Sequence, residues 1–232
     1  MCENKNHLLA TMPNDQLSFS SADPIGDVPV AIRKRPKPGE RRVQILQALA
    51  AMLEQPGVER VTTAALASRL CVSEAALYRH FASKAQMFEG LIEFIEQSVF
   101  SLVNQIAERE PASSTVDPGA GARHAGKVIV MLLQFAEKNP GMTRVMVGDA
   151  LVFENERLQQ RMNQFFDKIE ATVKQGLRSS SDVGGSLTPS VDAQVSASAL
   201  TAFAVGRLHR FARSGFKRLP SEHLEASLAR ML

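Results

Sequence analysis

Between Thr62 and Lys84 the chain collects side chains suited to gripping a phosphate. Thr62, Thr63 and Ser73 supply hydroxyls, Tyr78 and His80 supply neutral donors, and Arg79 and Lys84 supply cations. Tyr78 is the one tyrosine in the sequence. Thr62 or Thr63, and then Ser73, each stand just before a short helical run. There a hydroxyl and a backbone N–H together bond an anion that the helix dipole favours. The run from Ser73 through Glu74 and Ala75 to Tyr78 would face base edges and the adjoining backbone. The methyls of Ala75 and Ala76 are placed to meet those of thymine. Lys84 would add a point charge where the next helix begins.

Two helices must position these groups. Ala64, Ala65, Leu66, Ala67 and Leu70 make the first, and Ala76, Leu77, His80 and Phe81 belong to the second. Small residues in the first let the second cross it closely, and Leu66, Leu70, Leu77 and Phe81 form the expected seam. Two helices joined by about 3–4 residues make a helix-turn-helix, whose second helix lies in the major groove of DNA. The bland alternative is a pair of ordinary core helices with polar surfaces. Ser83 and Gln86 have capping-box spacing, so a third helix starts at once. Ahead of the motif, Glu40–Gln55 is amphipathic through Val43, Leu46, Leu49, Ala50 and Leu53, and Pro56-Gly57 ends it. Residues 1–38 mix Asn, Ser, Asp and Pro without periodicity and are expected to be disordered. They end in Arg33, Lys34, Arg35 and Lys37, continued by Arg41 and Arg42. That cluster is either a solvated tail or an arm laid along phosphates.

The rest of the 232 residues reads as a larger helical unit, 85–232, behind a small one, 39–84. Apolar residues make up 44%, with no Trp, and 3.6-residue periods prevail over alternation, so the fold class is all-α. Met87 to Arg109 places Phe88, Leu91, Ile92, Ile95, Val99, Leu102 and Ile106 inward. Phe94 lies off that stripe and serves either a neighbouring helix or an exposed groove. Ala122–Asn139 is apolar nearly all round and is broken by Pro140-Gly141. Glu154–Arg178 carries Leu158, Met162, Phe165, Ile169, Val173 and Leu177. A Ser/Gly-rich loop, 179–190, precedes Asp192–Phe211, whose stripe is Val195, Ala199, Leu200, Phe203, Ala204, Leu208 and Phe211. These last two long helices pack within one chain or pair with their copies in a four-helix dimer interface. A dimer would space two recognition helices for a palindrome.

The net charge of +3 does not by itself point to nucleic acid; placement does. Cys2 and Cys71 make no disulfide framework, which suits a reducing cytoplasm. No apolar run reaches the roughly 18 residues of a membrane span, and no signal peptide is evident. Catalytic motifs of the GxxxxGK[ST], HExxH and GxSxG types are missing, and the five histidines have no ligand spacing with each other or with the cysteines. We therefore expect no enzyme, no metal and no cofactor.

The run TTAALASRLCVSEAALYRHFASKAQMFEGLIEFIE resembles the DNA-binding domain of TetR-type regulators, through YRHF and the SK that follows. EKNPGMTRVMVGDALVFENERLQQRMNQFFDKIEA, with FKRLP near the end, narrows the likeness to the nucleoid occlusion factors among them. The resemblance runs from about Arg41 to the C-terminus and leaves the tail uncovered. It implies a TetR-like fold and a homodimer bound to palindromic double-stranded DNA in the cytoplasm, on the nucleoid. It also implies engagement of the C-terminal tail of the division protein FtsZ, so that Z-ring assembly is inhibited over the chromosome. Carried over, Thr62, Thr63, Ser73, Glu74, Ala75, Tyr78, Arg79, His80 and Lys84 are DNA-contact or motif positions. Phe94, Met131, Gln134, Lys138 and Asn139 would line the partner groove. Cys71 stands where the turn usually has Gly, and a small apolar residue packed in the motif is the expectation. Leu102 stands where the family has an arginine. A ligand-responsive TetR-type repressor is the alternative, and a structural protein with a vestigial motif a third reading.

Overall fold

A computed structural model describes residues 39–55, 60–109, 119–183 and 188–232. The basic tail as far as Pro38, Pro56-Gly57 and most of the stretch joining the helices expected at Met87–Arg109 and Ala122–Asn139 lie outside the described residues. Every regular element within them is helical: α1 (Glu40–Leu53), α2 (Thr63–Arg69), α3 (Glu74–Tyr78), α4 (Lys84–Arg109), α5 (Ala120–Lys138), α6 (Pro140–Met146), a 3₁₀ turn (Asp149–Leu151), α7 (Glu156–Val183), α8 (Pro189–Arg213) and α9 (Leu224–Leu228).

The first three helices enclose a small core in which Ile45, Leu49, Leu66, Leu77 and Phe81 are each buried to within 1%. Thr62 and Ser73 are the N-caps, their hydroxyls accepting the N–H of Ala65 at 3.2 Å and of Ala76 at 3.3 Å. Each satisfies one of the donors that a helix start leaves open. Ser83 caps α4 through Gln86 N–H, and the Gln86 amide oxygen reaches back to Ala82 N–H at 2.9 Å, one residue earlier than a standard capping box.

Behind this head, α7 and α8 pair along much of their length and α5 lies across them. Leu158, Met162, Phe165, Ile169 and Val173 are buried, as their spacing requires, against Ala193, Ala197, Leu200, Ala204 and Leu208. Alanines on α8 let the two backbones come close, and Phe165 sits edge-on to both Phe100 and Phe166.

One expectation holds and several are corrected. The break expected at Pro140-Gly141 is present, and α6 follows it at once: Pro140 occupies the first position of α6, where its missing N–H costs nothing. Asn139 donates to Phe135 O at 2.7 Å and the buried Thr143 hydroxyl to Ala136 O at 2.8 Å, so the carbonyls freed at the bend are bonded. The helix expected to end at Arg178 continues through Val183, and α8 begins at Pro189, so the Ser/Gly-rich loop is shorter than 179–190. On α4 the inward stripe drifts: Val103 is buried, while Leu102 is 36% exposed and Ile106 only half-buried. On α8, Val195 and Ala199 face outward, so the expected stripe merges an inner and an outer face.

Two features join head and body. A Cβ added at Gly141 would lie 2.0 Å from Ala50 O, so only glycine allows α6 to pack on α1. Glu154, just before α7, is ion-paired with Lys84 at the start of α4.

Candidate nucleic-acid interface and apolar groove

The turn between α2 and α3 is a Schellman cap. Val72 N–H bonds Ala67 O and Cys71 N–H bonds Ser68 O, both at 3.0 Å, with Cys71 at φ 53° in the place where glycine is usual. Cys71 is exposed, so the expectation that it packs inside the motif is wrong: a left-handed residue at this cap points its Cβ away from both helices.

The cap sets α3 across α2 with Ser73, Ala75, Tyr78, Arg79 and His80 exposed. Tyr78 keeps 44% of its surface although the leucine before it is buried. Thr62 is exposed as well, at the start of α2. The Thr63 hydroxyl donates to the Glu74 carboxylate at 2.6 Å, tying the start of α2 to that of α3. Those two residues therefore fix the angle between the helices while the hydroxyl is engaged. Arg42 is likewise committed: it donates to His80 O at 3.0 Å and lies 4.1 Å over the Phe81 ring, closing the C-terminal end of α3. The sequence reading had grouped Arg42 with the basic cluster, as part of a solvated tail or of an arm laid along phosphates.

Lys84 departs furthest from expectation. Its side chain is 20% exposed, its ammonium is held by Glu154, and it lies 5.6 Å over the Phe88 ring. A cation half-buried between head and body and ion-paired there is not a free point charge for a phosphate. Nothing adjacent in sequence revealed this, because the partner carboxylate is 70 residues away.

An apolar groove of about 320 Å³ opens between α4 and α5. Leu102, Gln105, Ile106 and Arg109 form one wall, and Lys127, Val130, Met131 and Gln134 the other. Of the residues expected to line a partner groove, Met131 and Gln134 are there. Phe94, Lys138 and Asn139 do not line it. Phe94 lies 11 residues before Gln105, some 20° from the same line of α4, and is 45% exposed. Lys138 is exposed near the end of α5, and the Asn139 amide is used at the α5–α6 bend. Leu102 leaves no cation at its own position, but Arg109 and Lys127 bring positive charge to the far end of the groove. Sequence reasoning missed both, although Arg109 follows Leu102 by 7 residues, two helical turns further along one face.

Comparison with known proteins places this arrangement. Residues 45–91 match the family model for bacterial regulatory proteins of the tetR family. Residues 123–231 match the SlmA-like model of the tetracyclin repressor-like C-terminal domain. Among solved structures, the fatty acid degradation regulator FadR from Bacillus halodurans superposes with a TM-score of 0.65 at 13% identity, covering 85% of this chain and 96% of that one. NalD, the secondary repressor of the MexAB-OprM multidrug efflux pump in Pseudomonas aeruginosa, gives 0.62 at 21%, covering 84% and 96%. At these identities the likeness shows the fold alone. Curated relatives are much nearer in sequence. The nucleoid occlusion factor SlmA of Idiomarina loihiensis is 50% identical over 186 residues, which is 80% of this chain and 90% of that protein. SlmA of Aliivibrio fischeri is 50% identical over 189 residues, 81% and 92%, and SlmA of Vibrio cholerae 49% over 186, 80% and 90%. The matched span takes in the helix-turn-helix and the groove together, and the chain belongs to the SlmA family of nucleoid occlusion factors, with the helical TetR-like fold.

Proposed function

We propose that this protein is a non-enzymatic, cytoplasmic DNA-binding dimer that marks the nucleoid and holds back cell division there by engaging FtsZ. The head, 39–84, reads short palindromic sites, and the body, 85–232, dimerises and receives the FtsZ C-terminal tail. Thr62, Ser73, Ala75, Tyr78, Arg79 and His80 meet the DNA, while Thr63 and Glu74 set the angle of the reading helix. Hydroxyls and Tyr78 bond phosphates, Arg79 adds charge, and Ala75 comes near base edges. The groove between α4 and α5, with Phe94 beyond it, takes the partner segment by helix-flanked apolar contact. The observation that carries this reading is the pairing, in one member of the SlmA family, of an exposed α3 face with an exposed aromatic and an open apolar groove on the α4–α5 side.

Sedimentation of FtsZ filaments in GTP tests it. Protein loaded with its DNA site should lower the pelleted fraction, and Phe94→Asp should abolish that effect while leaving DNA affinity within about twofold, since an exposed side chain adds little to stability. Unchanged pelleting with the DNA-loaded parent protein refutes the FtsZ reading. Equal loss of both activities in Phe94→Asp would make Phe94 a structural residue.

A further inference from the structure

We propose that the protein's own N-terminal segment, Asp27–Lys34, docks in the α4–α5 groove of the same chain and competes there with outside ligands. The groove is open, and its apolar walls, Leu102, Ile106, Val130 and Met131, ask for an apolar occupant. Its volume of about 320 Å³ is small, near the lower end of ligand sites, so a few aliphatic side chains suffice. Before α1 the chain offers one uninterrupted apolar run next to a folding unit, Val28-Pro29-Val30-Ala31-Ile32, with Asp27 ahead of it and Arg33-Lys34-Arg35 behind. Pro24, Pro29, Pro36 and Pro38 bias this stretch to an extended backbone, which lowers the entropy lost on docking.

The charges and lengths set the direction. Arg109 and Lys127 stand at one end of the groove and suit Asp27. Phe94 lies beyond the other end, a ring face for Arg33 or Lys34. From Arg109 to Phe94 along α4 is about 22 Å at 1.5 Å per residue. From Asp27 to Lys34 an extended chain spans about 23 Å. The tether is right as well. The tail joins α1, whose Leu46 packs on Gly90, one turn before Phe94, and the stretch from Lys34 to Gly39 spans about 17 Å when extended, enough to bring the basic end of the segment to the aromatic. A tethered ligand acts at an effective concentration in the millimolar range and so displaces weak outside peptides. If the groove is the FtsZ site, as proposed above, the segment is an internal brake on that contact. The docking itself does not depend on that reading.

The test uses the full chain, with ¹³C-methyl methionine and Met131 assigned through Met131→Leu. In Val28→Asp/Ile32→Asp the Met131 methyl resonance should move away from its parent position, and a synthetic peptide of residues 24–35 should bind about tenfold more tightly than to the parent. An unmoved resonance together with equal peptide affinity overturns the proposal. So does a resonance in the parent chain that moves with protein concentration, because the segment would then be seated in another molecule. An FtsZ tail peptide added to both forms separates the two ideas: binding to neither removes the partner reading and leaves the methyl result standing.

Discussion

Arg79 and Lys84 are both cations at the edge of the reading head, but their surroundings give them different work. Arg79 stands exposed just after α3. Lys84 is held by Glu154, whose own side chain is 9% exposed. Only a cation that neutralises a phosphate releases a counterion, and each contributes about 0.9 to the slope of log K against log salt. Arg79→Ala should therefore flatten that slope by about 0.9 while leaving the melting temperature in place. Lys84→Ala should do the reverse: the slope stays, and the fold loses about 2 kcal/mol, because a charge-assisted bond is gone and Glu154 is left poorly solvated. Fluorescence anisotropy across a salt series, with thermal melts of each variant, separates them. A flattened slope in Lys84→Ala would mean that the ammonium leaves Glu154 when DNA binds. A second residue reports on packing alone. The Thr201 hydroxyl is buried on α8 without a hydrogen-bond partner among the described residues. Leaving a buried donor unpaired costs more than replacing it, so Thr201→Val should stabilise the protein by about 1 kcal/mol in urea unfolding. A loss of stability would show that the hydroxyl has a partner, such as a water.

At the scale of elements, what the sequence disclosed was local and what it hid was long-range. The N-caps Thr62 and Ser73, the seam of Leu66, Leu77 and Phe81, and the stripe of α7 all follow from spacing and side-chain type, but α3 ends at Tyr78, before His80 and Phe81, which were expected in it. α6 was invisible because Pro-Gly reads as a break, and only the tertiary approach of α1 explains why the glycine is needed. α9 is five residues long, too short for a period to register. Within the groove, Met131 and Gln134 came from resemblance, whereas Arg109 and Lys127 emerged only once two helices were set side by side. The caps and the bend make opposite predictions for glycine. Cys71→Gly removes a left-handed strain of roughly 1–2 kcal/mol and gives part of it back as unfolded-chain entropy. A net gain of about 0.5–1 kcal/mol is expected. Gly141→Ala places a methyl on the Ala50 carbonyl, a clash that rotamer change cannot relieve, and should cost about 3 kcal/mol. Denaturant midpoints at constant m-value decide both, and a neutral Gly141→Ala would mean that α6 can slide on α1 freely.

For the whole molecule, the proposed function requires two heads held at a palindrome's spacing. α8 has an outer line in which Val191, Val195, Ala199, Ala202 and Gly206 recur every three or four residues, all of them exposed. Val191 keeps 60% of its surface and Val195 65%, which is costly for β-branched side chains facing water alone. A Cβ added at Gly206 would meet nothing within 4 Å, so the glycine is not required by its own chain. A line of small and apolar residues with none of the described residues covering it lets a second backbone approach, and a copy of the same helix related by a two-fold axis supplies the match. Val195→Asp places a carboxylate at the middle of that line, where a partner would have to bury it unpaired. Because Val195 is exposed in the single chain, the substitution should leave monomer stability within about 0.5 kcal/mol. Analytical ultracentrifugation should show the dimer converted to monomer. Affinity for a palindromic site should fall about 100-fold, towards that of a half-site, since the avidity of two linked heads is lost. A Val195→Asp protein that still sediments as a dimer would move the interface to another surface, and the spacing of the two reading helices would have to be set from there.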